Sequence, residues 1–334
     1  MAFKVVARPA LPSTLGGEVL ARFGAQLVEV PLFTEGDIIK NAADADAVLV
    51  GPTEPFTQDV IRTLSKCKIL SRTGIGFNNI DVDEATRQGI PVAIVLDASV
   101  HEVSDHAIAF LLAFSRKLLP LTLAIRKGLW TPGSQEIIRL RGQIFRLNQQ
   151  TLGIVGVGRI GTRVAQKARA FGIRVLGYDP YLSSQEIQER GAEKVDFDRL
   201  LQEADFVSLN APLTPETKNL FGLEEFRKMK PTAYLINTAR GGIIDEKALY
   251  QALVEGFIAG AGLDVTDPEP PLLDNPLFNL DNVLTTGHSA FYSETSVQEL
   301  YQKGAEAIVM AFKGEWPPFL ANPQVKEQSN CRLF

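Results

Sequence analysis

Cysteine is scarce: Cys67 and Cys331 are the only two in 334 residues, far apart and without a CxxC spacing. Neither a disulfide framework nor a thiolate metal site is supported, and a reducing compartment fits best. Histidine numbers three, and His101 and His106, five apart on one helical stretch, do not share a face, so no metal site is expected. Excess positive charge is also missing. With 34 basic against 39 acidic residues, a net charge of -5 and a pI near 5.4, no field draws in phosphate backbones, so neither nucleic acid nor an anionic membrane is expected as a direct partner. Every longer apolar run meets Arg, Lys or Pro before spanning length, and Phe3 to Arg8 is too short for a signal-peptide core, so a cytoplasmic protein is expected. No internal repeat or low-complexity run is visible.

What remains is an ordinary globular composition, 45% hydrophobic and 22% charged, in a chain longer than one core usually supports. Short β-rich runs (Lys4 to Ala7, Gln26 to Val30, Ala47 to Val50, Ile69 to Arg72, Pro91 to Val95) alternate with amphipathic pieces. Among these are Leu15 to Phe23 and Thr57 to Leu64, the latter with Thr57 as N-cap. A long helical stretch follows from about Val100 to Lys127, bent at Pro120, with Ala107, Ile108, Phe110, Leu111 and Phe114 on one broad face. Residues 128–150 read as irregular and basic. A second alternating series runs from Thr151 to about Thr286, and a helix from about Phe291 to Lys313 closes the chain. The pattern predicts an α/β protein with two doubly wound parallel-sheet domains. The second, over 100–290, is inserted into the first, over 1–99 and 291–334, with the last helix returning to it and two crossings that favour a hinge.

The second series opens on Gly156-Val157-Gly158-Arg159-Ile160-Gly161, directly after an apolar strand and directly before an amphipathic helix. That is the context in which GxGxxG binds a dinucleotide: Gly156 for the turn, Gly158 for backbone approach to the pyrophosphate, Gly161 for helix-strand packing. A bare motif is weak. The next strand, however, ends in Asp179, placed to accept from the adenosine ribose hydroxyls and to repel a 2′-phosphate. Pro180, Tyr181 and Leu182 bring no compensating cation, so NAD is favoured over NADP.

Three later strand ends hold candidates for chemistry: Arg240 after Ala233 to Ala239, Glu269 in the loop after Leu263, and His288 after Leu284. Taken singly, an arginine there is more often a structural ion pair, a loop acid merely solvated, and a histidine a satisfied buried group.

Together with Arg72 to Asp81, Tyr178 to Leu182, Asn237 to Leu249, Leu263 to Val265, Pro268 to Pro270 and His288 to Glu294, these segments resemble the D-isomer-specific 2-hydroxyacid dehydrogenases over nearly the whole chain. The nearest look is to the branch holding the C-terminal-binding-protein corepressors. The resemblance implies a Rossmann-like NAD domain inserted in a flavodoxin-like substrate domain, with Arg240, Glu269 and His288 as the active site. The chemistry agrees. Hydride delivery to a keto carbon needs a proton donor that titrates near working pH, and an arginine grips a carboxylate through two bonds. The resemblance further implies a carboxylate clamp from the amides of Gly74, Ile75 and Gly76, nicotinamide contacts from Thr238 and Asp264, and a cofactor groove lined by Ala211 and Thr217. It also implies a homodimer, with the apolar helix after Val100 as candidate interface.

The function expected is hydride transfer between NAD(H) and a small 2-keto or D-2-hydroxy acid. The rival reading is an NAD-sensing, corepressor-like binding module; the short stretch after the last helix tilts the choice toward an enzyme. Formate oxidation needs no proton acceptor in its hydride step, and the Glu269 and His288 pair argues against it. Three departures from the family pattern stand out: Gly287 replaces a frequent proline before the histidine, Ile75 is bulkier than usual in the clamp loop, and the stretch Arg141 to Gln150 is longer than the usual link into the nucleotide domain.

Overall fold

The computed structural model describes residues 3–9 and 13–333, and the chain divides into two compact units, 1–99 with 292–334 and 100–291. The first begins with β1 (Lys4–Ala7), α1 (Ser13–Phe23), β2 (Gln26–Glu29), α2 (Glu35–Ala42), β3 (Ala47–Val50), α3 (Gln58–Thr63), β4 (Ile69–Arg72), α4 (Val82–Arg87) and β5 (Val92–Ile94). All five strands are parallel in the order β2-β1-β3-β4-β5, the flavodoxin-like arrangement. Central strands covered on both faces read as continuous apolar runs, and Ala47 to Val50 is buried at every position. Thr34 caps α2 with a reciprocal box, its hydroxyl taking the Asp37 amide while the Asp37 carboxylate takes the Thr34 amide, a device worth about 1 kcal/mol. Thr57 does stand at the N-cap of α3, but its hydroxyl makes no capping bond and is buried without a partner among the described residues.

Glu84 in α4 is a buried acid ringed by donors. Oε1 accepts from Arg62 Nε at 3.0 Å and Gln88 Nε2 at 2.9 Å, and Oε2 from Arg87 Nε at 2.9 Å and Gln58 Nε2 at 3.3 Å. The Gln88 and Arg87 bonds lead in holding its carboxyl down to about 2, against an ordinary value of 4.5. A depressed folded value means the contribution is whole above the unfolded value and fades as pH falls from there toward 2. Glu84→Gln should therefore unfold at lower urea near neutrality, with the gap closing as pH approaches 2. A gap independent of pH would sink this account.

The second unit starts with α5 (Val100–Ser115), α6 (Leu118–Arg126) and α7 (Gln135–Arg141). The predicted single helix bent at Pro120 is corrected: the break lies at Lys117, with φ 53, and α5 and α6 diverge by 60°. A proline ring collides with the carbonyl four residues back, here Arg116, and is tolerated only in a helix's first turn; Pro120 accordingly sits third in α6. Nor is 128–150 wholly irregular, since Ser134 caps α7 and Arg139 pairs with Glu136 at 2.7 Å. The broad apolar face of α5 also finds its partner inside the unit. Ala107, Ile108, Phe110, Leu111 and Phe114 join the core, and Phe114 stacks on Tyr234 at 4.7 Å, so this face is not left over for a second subunit. No single helix among the described residues is long and apolar enough to cross a membrane.

There follow β6 (Thr151–Val155), α8 (Arg159–Ala170), β7 (Arg174–Tyr178), α9 (Ser184–Glu189), β8 (Glu193–Lys194), α10 (Phe197–Glu203), β9 (Phe206–Leu209), α11 (Leu223–Lys228), β10 (Tyr234–Asn237), α12 (Glu246–Glu255), β11 (Gly260–Leu263) and β12 (Val283–Thr285). All seven strands run parallel in the order β12-β11-β10-β9-β6-β7-β8. Strand order reverses at β6, so β6 and β9 flank the switch point where such sheets bind ligands beyond their carboxyl ends. The chain then returns to the first unit through α13 (Glu294–Phe312), capped by Ser293. There Ser71 Oγ donates to the Gly304 carbonyl at 2.8 Å.

Candidate active site

Because every strand of the second unit points the same way, the loops after β6, β7, β9, β10, β11 and β12 emerge at one sheet edge, and each carries a residue singled out above. After β6 the backbone must pass close to two neighbours. Gly156 has φ +87, and a Cβ there would lie 2.7 Å from the Ala211 amide nitrogen after β9; a Cβ on Gly161 would lie 2.2 Å from the Gly156 carbonyl. At Gly158, by contrast, a Cβ would meet nothing within 4 Å. Gly158 N-caps α8 without a side-chain bond, so the first amides of a twelve-residue helix face that open space, the condition for holding a pyrophosphate. Arg159 is exposed at the first position of α8 and Ile160 packs part-buried on the core.

Asp179, at the end of β7, uses Oδ2 to accept from the Val157 amide at 3.0 Å and Oδ1 to accept from Tyr181 N at 3.1 Å. It thus holds the glycine loop in shape as well as presenting charge beside it. Reading only residues 180–182 overlooked a cation: Arg190 donates to the Val157 carbonyl at 2.6 Å. On the β9 and β10 sides, Thr217 Oγ1 donates to the Pro212 carbonyl at 2.6 Å and accepts from Thr214 N at 2.8 Å, folding the loop that Ala211 begins. Asn210 Oδ1 and Thr238 Oγ1 are buried with no partner among the described residues. Orphaned polar atoms at that depth call for a bonding group, and on the switch-point edge they fit a dinucleotide.

Arg240 follows β10. The buried Asn237 side chain braces its turn, donating from Nδ2 to the Arg240 carbonyl at 2.9 Å and accepting from Ala239 N at 3.0 Å. The guanidinium donates from Nη1 to the Ala239 carbonyl at 2.6 Å. Burial lowers its pKa and the nearby Glu269 charge opposes that; an arginine stays charged regardless. Glu246 of α12 secures the loop bearing Glu269 by accepting from Asp267 N at 2.8 Å and Asn275 Nδ2 at 2.9 Å. Neither Asn237 nor Glu246 had been assigned a role from the sequence, though both lie in the segment quoted for the family resemblance.

His288 and Glu269 come together, the imidazole Nδ1 bonded to Oε1 of the carboxylate, with Phe291 edge-on to the ring at 6.2 Å. This pairing leaves Nε2 as the ring atom available to a substrate. The His288 backbone has φ +56 and so does Gly287. Proline is locked near -65°, so the proline frequent at this place in the family does not fit this loop; glycine is what the observed path requires. Asp264, which the resemblance assigns to the nicotinamide, has a task within the protein. Its carboxylate accepts from Ser289 N at 2.8 Å and Ala290 N at 3.0 Å, and its carbonyl from His288 N at 2.5 Å. The loop of Gly74, Ile75 and Gly76 belongs to the other unit, at the carboxyl end of β4, where Gly74 N bonds to the Arg72 carbonyl at 2.8 Å and Val95 N to the Gly74 carbonyl at 3.1 Å. Among the described residues there is no group of three His, Cys, Asp or Glu able to hold a metal.

The family model for the D-isomer specific 2-hydroxyacid dehydrogenase NAD binding domain matches residues 108–290. The chain belongs to the D-isomer-specific 2-hydroxyacid dehydrogenase family. It is 40% identical over 288 residues to a glyoxylate reductase of Korarchaeum cryptofilum, covering 86% of each chain. It is 39% identical over 302 residues to a D-3-phosphoglycerate dehydrogenase of Methanocaldococcus jannaschii, covering 90% of this chain and spanning 56% of that protein's length. The crystal structure of a glyoxylate reductase from Paecilomyes thermophila superposes with a TM-score of 0.85 at 30% identity, over 97% of this chain and 99% of that one. This dehydrogenase family member therefore carries the family's NAD-binding domain in the Rossmann-like unit, and its chemistry is NAD-dependent oxidoreduction of 2-hydroxy acids. The likenesses do not single out the corepressor branch.

NADH should be strongly preferred over NADPH, because Asp179 would both lose its ribose bonds and face a 2′-phosphate. Asp179→Ala, with Arg190 left in place, should weaken NADH binding and narrow the gap. Equal kcat/KM for both cofactors in the unmodified enzyme would overturn the role given to Asp179.

Proposed function

We propose that the enzyme reduces a short 2-keto acid with NADH, glyoxylate being the first candidate, using Arg240 to hold the carboxylate and His288 to supply the proton. What carries the reading is the Glu269 and His288 pair on the sheet edge that also bears Arg240 and the glycine loop. NADH, when bound, supplies the hydride. Arg240 presents a planar fork matched to a carboxylate and draws charge from the keto oxygen. The Nδ1 bond to Glu269 fixes the imidazole's orientation, so that Nε2 can donate its proton as alkoxide charge develops. Asp264 keeps the histidine backbone in place. Identity to two glyoxylate reductases supports the choice of substrate; that to a phosphoglycerate dehydrogenase names the competitor.

The deciding experiment is NADH oxidation with glyoxylate, longer unbranched 2-keto acids and a phosphorylated three-carbon keto acid. Highest kcat/KM with glyoxylate is expected. A clear preference for the phosphorylated acid would replace that substrate, and no turnover of any member with tight NADH binding would remove the enzymatic reading. A homodimer is part of the proposal. The exposed apolar side chains that support it lie on α6 and beyond it, at Leu118, Leu123, Ile125, Trp130 and Phe145, rather than on α5. Sedimentation of the intact chain tests it.

A further inference from the structure

We propose that His106, on α5, is a positioning residue for the reaction: acting through Thr286 and Asp264, it holds the loop that carries His288. This rests on the reading of His288 as proton donor. Thr286 Oγ1 lies 2.6 Å from Asp264 Oδ1 and 2.9 Å from His106 Nε2. A hydroxyl has one proton, and a carboxylate already taking the Ser289 and Ala290 amides is an acceptor; the threonine proton therefore goes to Asp264. Toward His106 the hydroxyl can only accept, so Nε2 must carry hydrogen. The bond directions assign the tautomer.

The arrangement has a mechanical reason. A non-glycine residue at φ +56 costs on the order of 1 kcal/mol or more and persists only where its surroundings over-determine it. Around His288 that restraint comes from Asp264, through its carbonyl and both carboxylate oxygens, and from Thr286 two residues earlier. His106 ties Thr286 to a helix whose apolar face lies in the core. Its ring is edge-on to Phe110 at 4.9 Å and its side chain is 24% exposed. Asp264 Oδ1 stands 3.9 Å from Nε2, Asp105 on α5 is taken by Lys167 of α8 at 2.6 Å, and Glu102 lies one turn back on α5. Neither the substrate carboxylate grip of Arg240 nor the glycine loop passes through this chain of bonds. Losing it should loosen the aim of His288 without loosening ligand binding.

The test compares His106→Ala, His106→Gln, Thr286→Val, the His106→Ala/Thr286→Val double variant and His288→Ala, using NADH and glyoxylate. Readouts are kcat, KM for both ligands and the thermal midpoint. His106→Ala should lower kcat about tenfold, the worth of one well-made bond, with both KM values unchanged. His106→Gln, whose terminal amide can donate where Nε2 did, should recover most of the loss. The double variant should be no worse than the poorer single one, as expected for links of one chain. Wild-type kcat in His106→Ala, additive losses in the double variant, or a glutamine variant as poor as alanine with the same fall in thermal midpoint would each overturn the proposal. His288→Ala separates the two readings: if it keeps its activity the proton-donor assignment fails, whereas a dead His288→Ala beside an unaffected His106→Ala removes the positioning role alone.

Discussion

Replacing His288 with alanine should lower keto-acid turnover by about a hundredfold or more, the usual worth of a positioned acid, with NADH binding little changed. The split follows from the geometry. The imidazole is bonded to Glu269 through Nδ1 and offers Nε2 to the reaction, while the glycine loop and Asp179 stand on other strands. On the proposed reading reduction takes a proton from the ring and hydroxy-acid oxidation returns one to it, so the rate of reduction should fall and that of oxidation should rise as pH increases. Glu269→Gln keeps a hydrogen-bonding group and removes the charge beside the ring, so the pH profiles of both directions should differ from those of the unmodified enzyme. Steady-state profiles in both directions decide this. Identical profiles for Glu269→Gln and the unmodified enzyme would show that the two residues are not coupled.

Arg240→Lys should cost on the order of a hundredfold in kcat/KM although charge is conserved, because two charge-assisted bonds to a carboxylate reduce to one from a point charge. The loss should appear in KM for the keto acid and in kcat together, since in the proposed mechanism the same group holds the substrate and draws charge from its carbonyl. The lysine variant should still bind NADH, and fluorescence titration checks that the fold and glycine loop survive. If the variant kept most of its activity, Arg240 would be a structural cation bonded to Ala239 and no more.

How much was legible beforehand differs between the sheets, the helices and the site. Parallel strands buried on both faces leave continuous apolar runs, so β1 and β3 could be placed to the residue, and the glycine loop declared itself by lying between an apolar strand and a helix. The α5–α6 break was misplaced because a proline's effect falls on the carbonyl four residues earlier, which a scan for the proline itself overlooks. An apolar helix face likewise does not say what covers it: that of α5 read as an intermolecular surface and lies in the unit's own core. Arg240, Glu269 and His288 were accessible as strand-end candidates, each with a blander reading when taken singly, and the family resemblance is what joined them into one proposed site. Asn237, Glu246, His106 and Thr286 were not, because an ordinary polar residue becomes a brace only once a distant loop is brought against it. The one available signal was that a histidine amid the apolar residues of α5 must find a bonding partner.

The closing stretch of the first unit bears on the order in which this protein can be made. Ala93 bridges to Leu320, Val92 N donates to Asn322 Oδ1 at 2.8 Å, and Arg332 N donates to the Gly89 carbonyl at 2.8 Å, so residues near 90 are completed by residues beyond 315. On a ribosome the strands made first must wait for α13 and these last contacts, while the second unit, continuous from 100 to 291, can close as soon as it emerges. The usual sequence of amino-terminal folding first is thereby reversed. Nascent chains stalled with residue 291 just outside the exit tunnel should protect 100–291 from limited proteolysis and leave 1–99 open to cleavage; equal protection of both would show that the five-strand sheet stands without its carboxyl-terminal strap. A ribosome making this chain would carry an unfinished, apolar-rich sheet until the residues beyond 315 appear, which ties the demand for chaperones to the interval between the two halves of the first unit.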